Sequence, residues 1–244
     1  MLNSGNRLRA GPTTLADKRL KVSVIIPTLN EAGILGKTLD LLLPLQPDEI
    51  LIADGGSSDR TREIAETYPV RWVACPRGRA RQMNAGAEQA RGDLLVFLHA
   101  DTFLDPDGYR EMKQSMADET RVGGAFSLHI ASPAKSLRLI SRLANLRART
   151  LKLVYGDQAF FVRTETFSRL GGFQAIPICE DLDFFLRLKN QGEVLILPHK
   201  AHTSARRWEV DGVFYCTLRN SVIAGAFLLG FPPRLLSKWY YPGS

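Results

Sequence analysis

Glu49-Ile50-Leu51-Ile52-Ala53-Asp54-Gly55-Gly56-Ser57-Ser58-Asp59 is the stretch on which the fold turns, because an apolar run halts at a carboxylate followed by two glycines and two hydroxyls. The run is short and rich in Ile and Leu, as expected of a strand buried on both faces of a parallel sheet, and such sheets bind ligands beyond the carboxyl ends of their strands. Asp54 is therefore expected at a ligand-binding edge. Gly55 and Gly56 lack a Cβ and let backbone approach a ligand, while Ser57, Ser58 or Asp59 can cap a helix over Arg60 to Tyr68.

Two more runs end the same way. Val22-Ser23-Val24-Ile25-Ile26 stops at Pro27-Thr28-Leu29-Asn30-Glu31, and Leu94-Leu95-Val96-Phe97-Leu98 stops at His99-Ala100-Asp101. Before the latter lies Gly78-Arg79-Ala80-Arg81-Gln82-Met83-Asn84-Ala85-Gly86, whose arginines suit a phosphate and whose small residues suit a helix start. Strand, helix, strand, helix predicts a doubly wound α/β domain.

These residues together resemble glycosyltransferase family 2, the inverting nucleotide-sugar transferases of GT-A fold, over roughly Lys21 to Trp208. Pro27 to Glu31 resembles the family's P-x-x-N-E, Asp54 to Asp59 its D-x-G-S-x-D, and Asn84 through Gly92 its N-x-G-x-x-x-A-x-G. Asp101 matches the last Asp of D-x-D, Gly171-Gly172-Phe173 the G-G-F turn, and Glu180-Asp181 the acidic pair that includes the base. The departures are specific. Gly55 stands where many members carry a second Asp, His99 replaces the first Asp of D-x-D, Met83 stands where an Arg often precedes the Asn, and Ser204 to Trp208 is a decayed Q-x-x-R-W. The chain is accordingly closer to members that transfer a single sugar than to processive synthases.

The resemblance implies a Rossmann-like GT-A fold, mainly parallel, with helices on both faces. It also implies a nucleoside-diphosphate sugar as donor and a divalent cation, Mn2+ or Mg2+, as cofactor. Pro27, Thr28, Asn30, Glu31, Asp54, Gly56, Ser57, Arg79, Arg81, Asn84 and Arg207 are the candidate donor contacts. Asp101 is the candidate metal ligand, with His202 as an additional one, although a structural role is the expected one for both His99 and His202. Asp181, with Glu180 beside it, is the candidate catalytic base. Gly156, Asp157, Gln158 and Trp208 form the candidate acceptor side. The acceptor is a hydroxyl or a phosphate, with lipid-linked and soluble carriers both open. A nucleotidyltransferase would place a Gly-rich basic loop after the first strand, where this chain has the acidic Pro27 to Glu31. A non-catalytic nucleotide-sugar-binding or scaffold protein is the other alternative, against which Asp101 and Asp181 speak.

Length and composition agree with one domain: 244 residues, 45% apolar and 23% charged, suffice for a substantial core. Residues 1 to 20 read as a flexible lead-in without the apolar core of a signal peptide, 21 to 208 as the transferase domain, and 209 to 244 as its helical or interfacial extension. Cys75, Cys179 and Cys216 are odd in number and widely spaced, which points to a reducing, cytoplasmic compartment.

The net charge of +7 is local, since Thr120 to Gly156 contains no acidic residue but includes Arg121, Lys135, Arg138, Arg142, Arg147, Arg149 and Lys152. Leu139, Leu143 and Leu146 recur there at helical spacing. The expected arrangement is a solvated helix whose apolar face packs on the sheet; a surface for an anionic acceptor, a lipid phosphate or the inner face of a membrane is the sharper alternative. Nucleic acid comes last, for want of a recognition motif or aromatic platform. Val222 to Phe231, followed by Trp239-Tyr240-Tyr241, is too short to span a bilayer and fits an interfacial segment, core packing or a homodimer contact.

Overall fold

The computed structural model describes residues 19–240, so most of the lead-in falls outside the described residues. Four parallel strands, β1 (Val22–Thr28), β2 (Glu49–Asp54), β3 (Arg71–Ala74) and β4 (Leu94–Phe97), run in the order β3-β2-β1-β4. The register sets Thr28 against Asp54 and Asp54 against Ala74, so these polar strand ends share one edge. The intervening helices are α1 (Leu35–Leu42), α2 (Thr61–Glu66) and α3 (Arg79–Gln89).

Burial on both faces explains the unbroken apolar runs. Val24, Ile26, Ile50, Ile52 and Val96 pack into one core with Leu35 and Leu39 of α1, while Ile25, Leu51, Leu95 and Phe97 pack into a second with Met83 and Ala87 of α3. At Gly86 a Cβ would stand 2.5 Å from Ile25 Cγ2, so only glycine lets α3 lie this close to β1.

The second half turns the sheet into a mixed one of eight strands, continuing β4-β7-β6-β8-β5. It comprises β5 (Thr102–Leu104), α4 (Pro106–Ser115), β6 (Arg121–Ala131), α5 (Lys135–Leu151), β7 (Phe160–Arg163), α6 (Thr164–Arg169), α7 (Glu180–Leu188) and β8 (Glu193–Ser204). β7 is antiparallel to β4 and β6, β8 is parallel to β6, and β5 is antiparallel to β8. The expected α/β class holds, with parallel pairing concentrated in the first half. Three helices close the described chain: α8 (Arg206–Asp211), α9 (Val213–Leu228) and α10 (Pro233–Tyr240).

Helix α5 corrects the expectation that its leucines pack on the sheet. Leu137, Ser141, Ala144 and Ala148 face the protein, and Leu139, Leu143 and Leu146 are exposed. The cause is the edge of β6, left open beyond its short pairing with β7. Asn145 accepts from the Leu128 amide at 2.6 Å and donates to the Leu128 carbonyl at 3.0 Å, and Ser141 Oγ accepts from the Ile130 amide at 3.1 Å. Backbone groups that would otherwise be buried unpaired are satisfied by polar side chains of α5, which fixes the helix with its small and polar stripe inward.

Candidate active site

The loops after β1 and β2 are knitted into one wall. Asp54 is buried, and its carboxylate accepts from Thr28 Oγ1 (3.0 Å), Ser57 Oγ (2.5 Å) and the amides of Gly56 (2.9 Å) and Ser57 (2.8 Å). Asn30, at φ +57°, donates its amide to Ser57 Oγ and accepts from the Ser58 amide, both at 2.8 Å. Glu31 donates its amide to Thr61 Oγ1 at 2.9 Å, and Ala32 to Asp59 Oδ2 at 3.1 Å. Thr28, Asn30, Asp54, Gly56 and Ser57 thus come together with Pro27 at the ends of β1 and β2. Asp54 uses about four acceptor positions, its full capacity, to shape the loop.

Gln82 went unassigned from sequence and holds the same edge from below. Its Nε2 donates to the carbonyls of Thr28 (2.7 Å) and Ala53 (3.0 Å), tying the ends of β1 and β2 to α3. The same side chain crowds Gly55, where a Cβ would meet Gln82 Cδ at 3.0 Å. No signal in the sequence marks it, since its partners lie 54 and 29 residues away.

Arg79 occupies the first turn of α3, whose N-terminus opens with Gly78 at φ +133°, and its guanidinium lies 3.7 Å from Glu180 Oε1. Arg81 is exposed in the same turn. A helix N-terminus with two arginines is suited to anionic groups. Asn84, one turn on, makes a two-bond clamp: its Nδ2 donates to the Phe173 carbonyl and its Oδ1 accepts from the Phe173 amide, each at 2.9 Å. Its amide is thereby spent on the Gly-Gly-Phe turn. Phe173 in turn packs on Phe97 and Phe184, with ring centroids 4.9 and 4.7 Å apart, which seats the start of α7.

The acidic pair stands at that start. Asp181 Oδ2 accepts from the Gly156 amide at 2.5 Å and Oδ1 from the Leu182 amide at 2.7 Å. A Cβ on Gly156 would stand 2.8 Å from His99 Nε2 and 3.0 Å from Asp181 Oδ2, so the end of β4 and the start of α7 meet at the short turn Gly156–Gln158. Glu180 is buried; burial and the Asp181 charge push its pKa up to about 7 against the opposing pull of Arg79. His99 is held well below its usual range by burial, with the charges of Arg79 and Arg207 adding to it, which keeps the imidazole neutral.

Asp157 completes the cluster. Burial raises its pKa to about 6, Arg147 opposes and Asp181 adds, and its buried Oδ1 has no hydrogen-bond partner among the described residues. Arg147 of α5 stacks 3.6 Å from the Tyr155 ring centroid and donates to Gln158 Oε1 at 3.3 Å. Gln158 also donates to the Phe126 carbonyl at 3.2 Å, so its amide braces the wall. Trp208 is buried with Leu128, Leu137, Ala144 and Cys216, its Nε1 unpaired. Arg207 reaches Tyr240 Oη at 2.5 Å.

Among the described residues no three His, Cys, Asp or Glu side chains gather to hold a metal ion. His202 pairs with Asp105 at 2.7 Å and stacks on Phe103 with centroids 4.7 Å apart, so its ring is committed to the β5–β8 edge. Asp101, just past β4, lines a groove of about 230 Å³ with Ile34, Thr38, Phe103 and Ser204. Its charge reaches Glu31, whose Oε2 is buried without a hydrogen bond and lies 3.6 Å from Arg206. One or two carboxylates of this kind fit a hard cation whose other ligands are phosphate oxygens and water.

The strand-end loops, the arginines at the start of α3 and the acidic pair at the start of α7 thus gather at one edge of the α/β sheet, with Arg79 3.7 Å from Glu180. The family model described as "Glycosyl transferase family 2" matches residues 23–171, more than half of the chain, and the chain belongs to that family. "Probable glycosyltransferase YdaM" of Bacillus subtilis is 22% identical over 200 residues, covering 70% of this chain and 47% of that protein, so the chain spans about half the length of this relative. Among solved structures, the mannosyltransferase PcManGT from Pyrobaculum calidifontis, in complex with GDP-Man and Mn2+, superposes with a TM-score of 0.64 at 22% identity, covering 88% of this chain and 66% of the other. TarS of S. aureus in complex with UDP gives a TM-score of 0.62 at 18% identity, covering 76% and 60%. These likenesses establish a GT-A fold.

Proposed function

We infer that the protein moves a single sugar from a nucleoside-diphosphate sugar to a hydroxyl or phosphate acceptor with inversion, in a reaction that depends on a divalent cation. The observation that supports this reading is the meeting of His99, Gly156 and Asp181, which brings a carboxylate at the start of α7 to the end of β4, with Arg79 3.7 Å from the neighbouring Glu180. Solved neighbours that hold GDP-Man with Mn2+, or UDP, support the donor class.

Asp181 accepts the acceptor's proton as its oxygen attacks the anomeric carbon. The bond from that carbon to the diphosphate breaks on the opposite face, and the nucleoside diphosphate leaves. Gly156 and Leu182 orient Asp181 through their amides. Arg79, Arg81 and the α3 N-terminus bind the diphosphate, with Arg207 nearby, while the loop built on Asp54, Asn30 and Ser57 receives the nucleoside. Asp101, with Glu31 behind it, holds the cation, which when bound supplies Lewis-acid neutralisation of the departing charge. Asp157 faces the acceptor.

The test is a thermal-shift and calorimetric screen of UDP-, GDP- and dTDP-sugars with and without Mn2+, on wild type and Asp101→Asn. A ligand specific to the folded state raises the midpoint. The expected result is a base preference with Mn2+-dependent affinity that Asp101→Asn weakens. Equal affinity in the mutant, or with chelator, would remove Asp101 from the cation.

A further inference from the structure

Helix α5 carries Leu139, Leu143 and Leu146 at 56%, 57% and 59% exposure, a stripe directed away from the sheet. α9 packs against α5 and continues the surface with Phe214 (80%), Leu218 (50%) and Val222 (40%), spaced four residues apart. α10 packs on α9 and adds Leu235 (59%) and Trp239 (50%). Three helices packed in series therefore each present an exposed apolar stripe, far more than the single exposed side chains normal for a protein surface.

The helices that carry the stripes bear only basic charge, and the nearest carboxylate, Asp211 just before α9, is paired with Arg219 at 3.0 Å. No Asp or Glu occurs from residue 120 to 156, nor anywhere from 212 to 244. Arg138 and Arg142 on α5, and Arg234 and Lys238 on α10, are exposed beside the leucines. By helical geometry the two α5 arginines fall on one flank of the Leu139–Leu143–Leu146 stripe. Among the described residues, no helix is long and apolar enough to cross a membrane. An apolar face rimmed by cations with aromatic residues at its border matches a helix lying in the plane of an anionic bilayer, its apolar side about 5–10 Å into the headgroup boundary. A second copy of the chain fits worse, because a two-fold contact would bring the same cations together.

We propose that α5, α9 and α10 form a monolayer-inserting face that docks the protein on an anionic lipid surface, with the leucine, phenylalanine and tryptophan stripes in the acyl boundary and the arginines on lipid phosphates. The inner side of the same helix α5 carries Arg147 into the wall beside Asp157. Docking through α5 thus sets the acceptor side of the site next to the lipid, a consequence that rests on the function proposed above, whereas docking itself does not.

The test is co-sedimentation of the full chain with phosphatidylglycerol/phosphatidylcholine vesicles and with pure phosphatidylcholine, at 50 mM and 500 mM NaCl, together with tryptophan fluorescence. Wild type is expected to bind only the anionic vesicles, with a blue shift absent in Trp239→Phe, and to lose at least about tenfold in partitioning at high salt through screening. R138Q/R142Q/R234Q is expected to weaken partitioning on the order of a hundredfold. L139S/L143S/L146S should keep the wild-type melting midpoint and lose stable binding. No sedimentation with anionic vesicles at low salt overturns the proposal, as does equal binding to neutral ones. So does a dimer in analytical ultracentrifugation that the leucine variant dissolves without any change in vesicle binding. Vesicle binding is read without turnover, so its failure is distinct from failure of the proposed reaction.

Discussion

The backbone amide of Gly156 points at Asp181 Oδ2 across 2.5 Å, and the space where a Gly156 side chain would sit is taken by that oxygen and by His99 Nε2. The turn at Gly156 is therefore a spacer that sets how far Asp181, the proposed base, stands from the end of β4. Gly156→Ala puts a methyl against both groups and displaces Asp181. Since a misplacement of about 1 Å can cost roughly a hundredfold in rate, kcat should fall about 10- to 100-fold with the fold retained by circular dichroism. Unchanged kcat would show that the spacing has slack.

Asn84 is expected to matter for stability before donor binding. Asn84→Ala leaves the amide and carbonyl of Phe173 without their 2.9 Å partners, at a cost of about 1–3 kcal/mol. Thermal melting should fall by about 2–4 °C for each kcal/mol lost in a chain of this size. An unchanged midpoint would mean that the Phe173 ring packing holds the turn alone.

Glu180 gives the stability a definite pH sign. Its pKa of about 7 in the folded protein exceeds the roughly 4.3 of an unfolded Glu, so between these values the folded state keeps a proton that the unfolded chain releases. Its contribution is fully present below about pH 4.3 and is lost as pH rises through 7, a change on the order of a few kcal/mol. Asp157, raised to about 6, acts with the same sign. Urea midpoints from pH 5 to 8 should show Glu180→Gln gaining on wild type as pH rises; parallel curves would remove Glu180 as the cause.

The strands and their ends were legible because burial on both faces turns β1, β2 and β4 into apolar runs, and the polar clusters where they stop are the loops of the proposed site. The orientation of α5 was not. Leu139, Leu143 and Leu146 have the same spacing whether the stripe faces in or out, and the choice is made by Ser141 and Asn145 bonding to an open β6 edge that exists only after the sheet has formed. The partners of Asn84 and His202 were hidden for a related reason. Phe173 and Asp105 lie 89 and 97 residues from them, and single side-chain hydrogen bonds over such separations leave no periodic trace. Gln82 and Arg147 are likewise ordinary helix residues until the elements they bridge are in place.

Asp181 carries the central claim, and the direct measurement is steady-state transfer by Asp181→Asn with the donor selected by the ligand screen, alongside calorimetry of donor binding. Asn keeps the size and one acceptor oxygen for the Gly156 amide, loses the acceptor that faces the Leu182 amide, and cannot take the acceptor's proton. The expected result is a fall in kcat of roughly 100- to 10,000-fold with donor affinity preserved and the protein folded at the assay temperature. Near-normal kcat in a folded Asp181→Asn protein would contradict the assignment and move the base elsewhere, with Glu180 the next residue to replace.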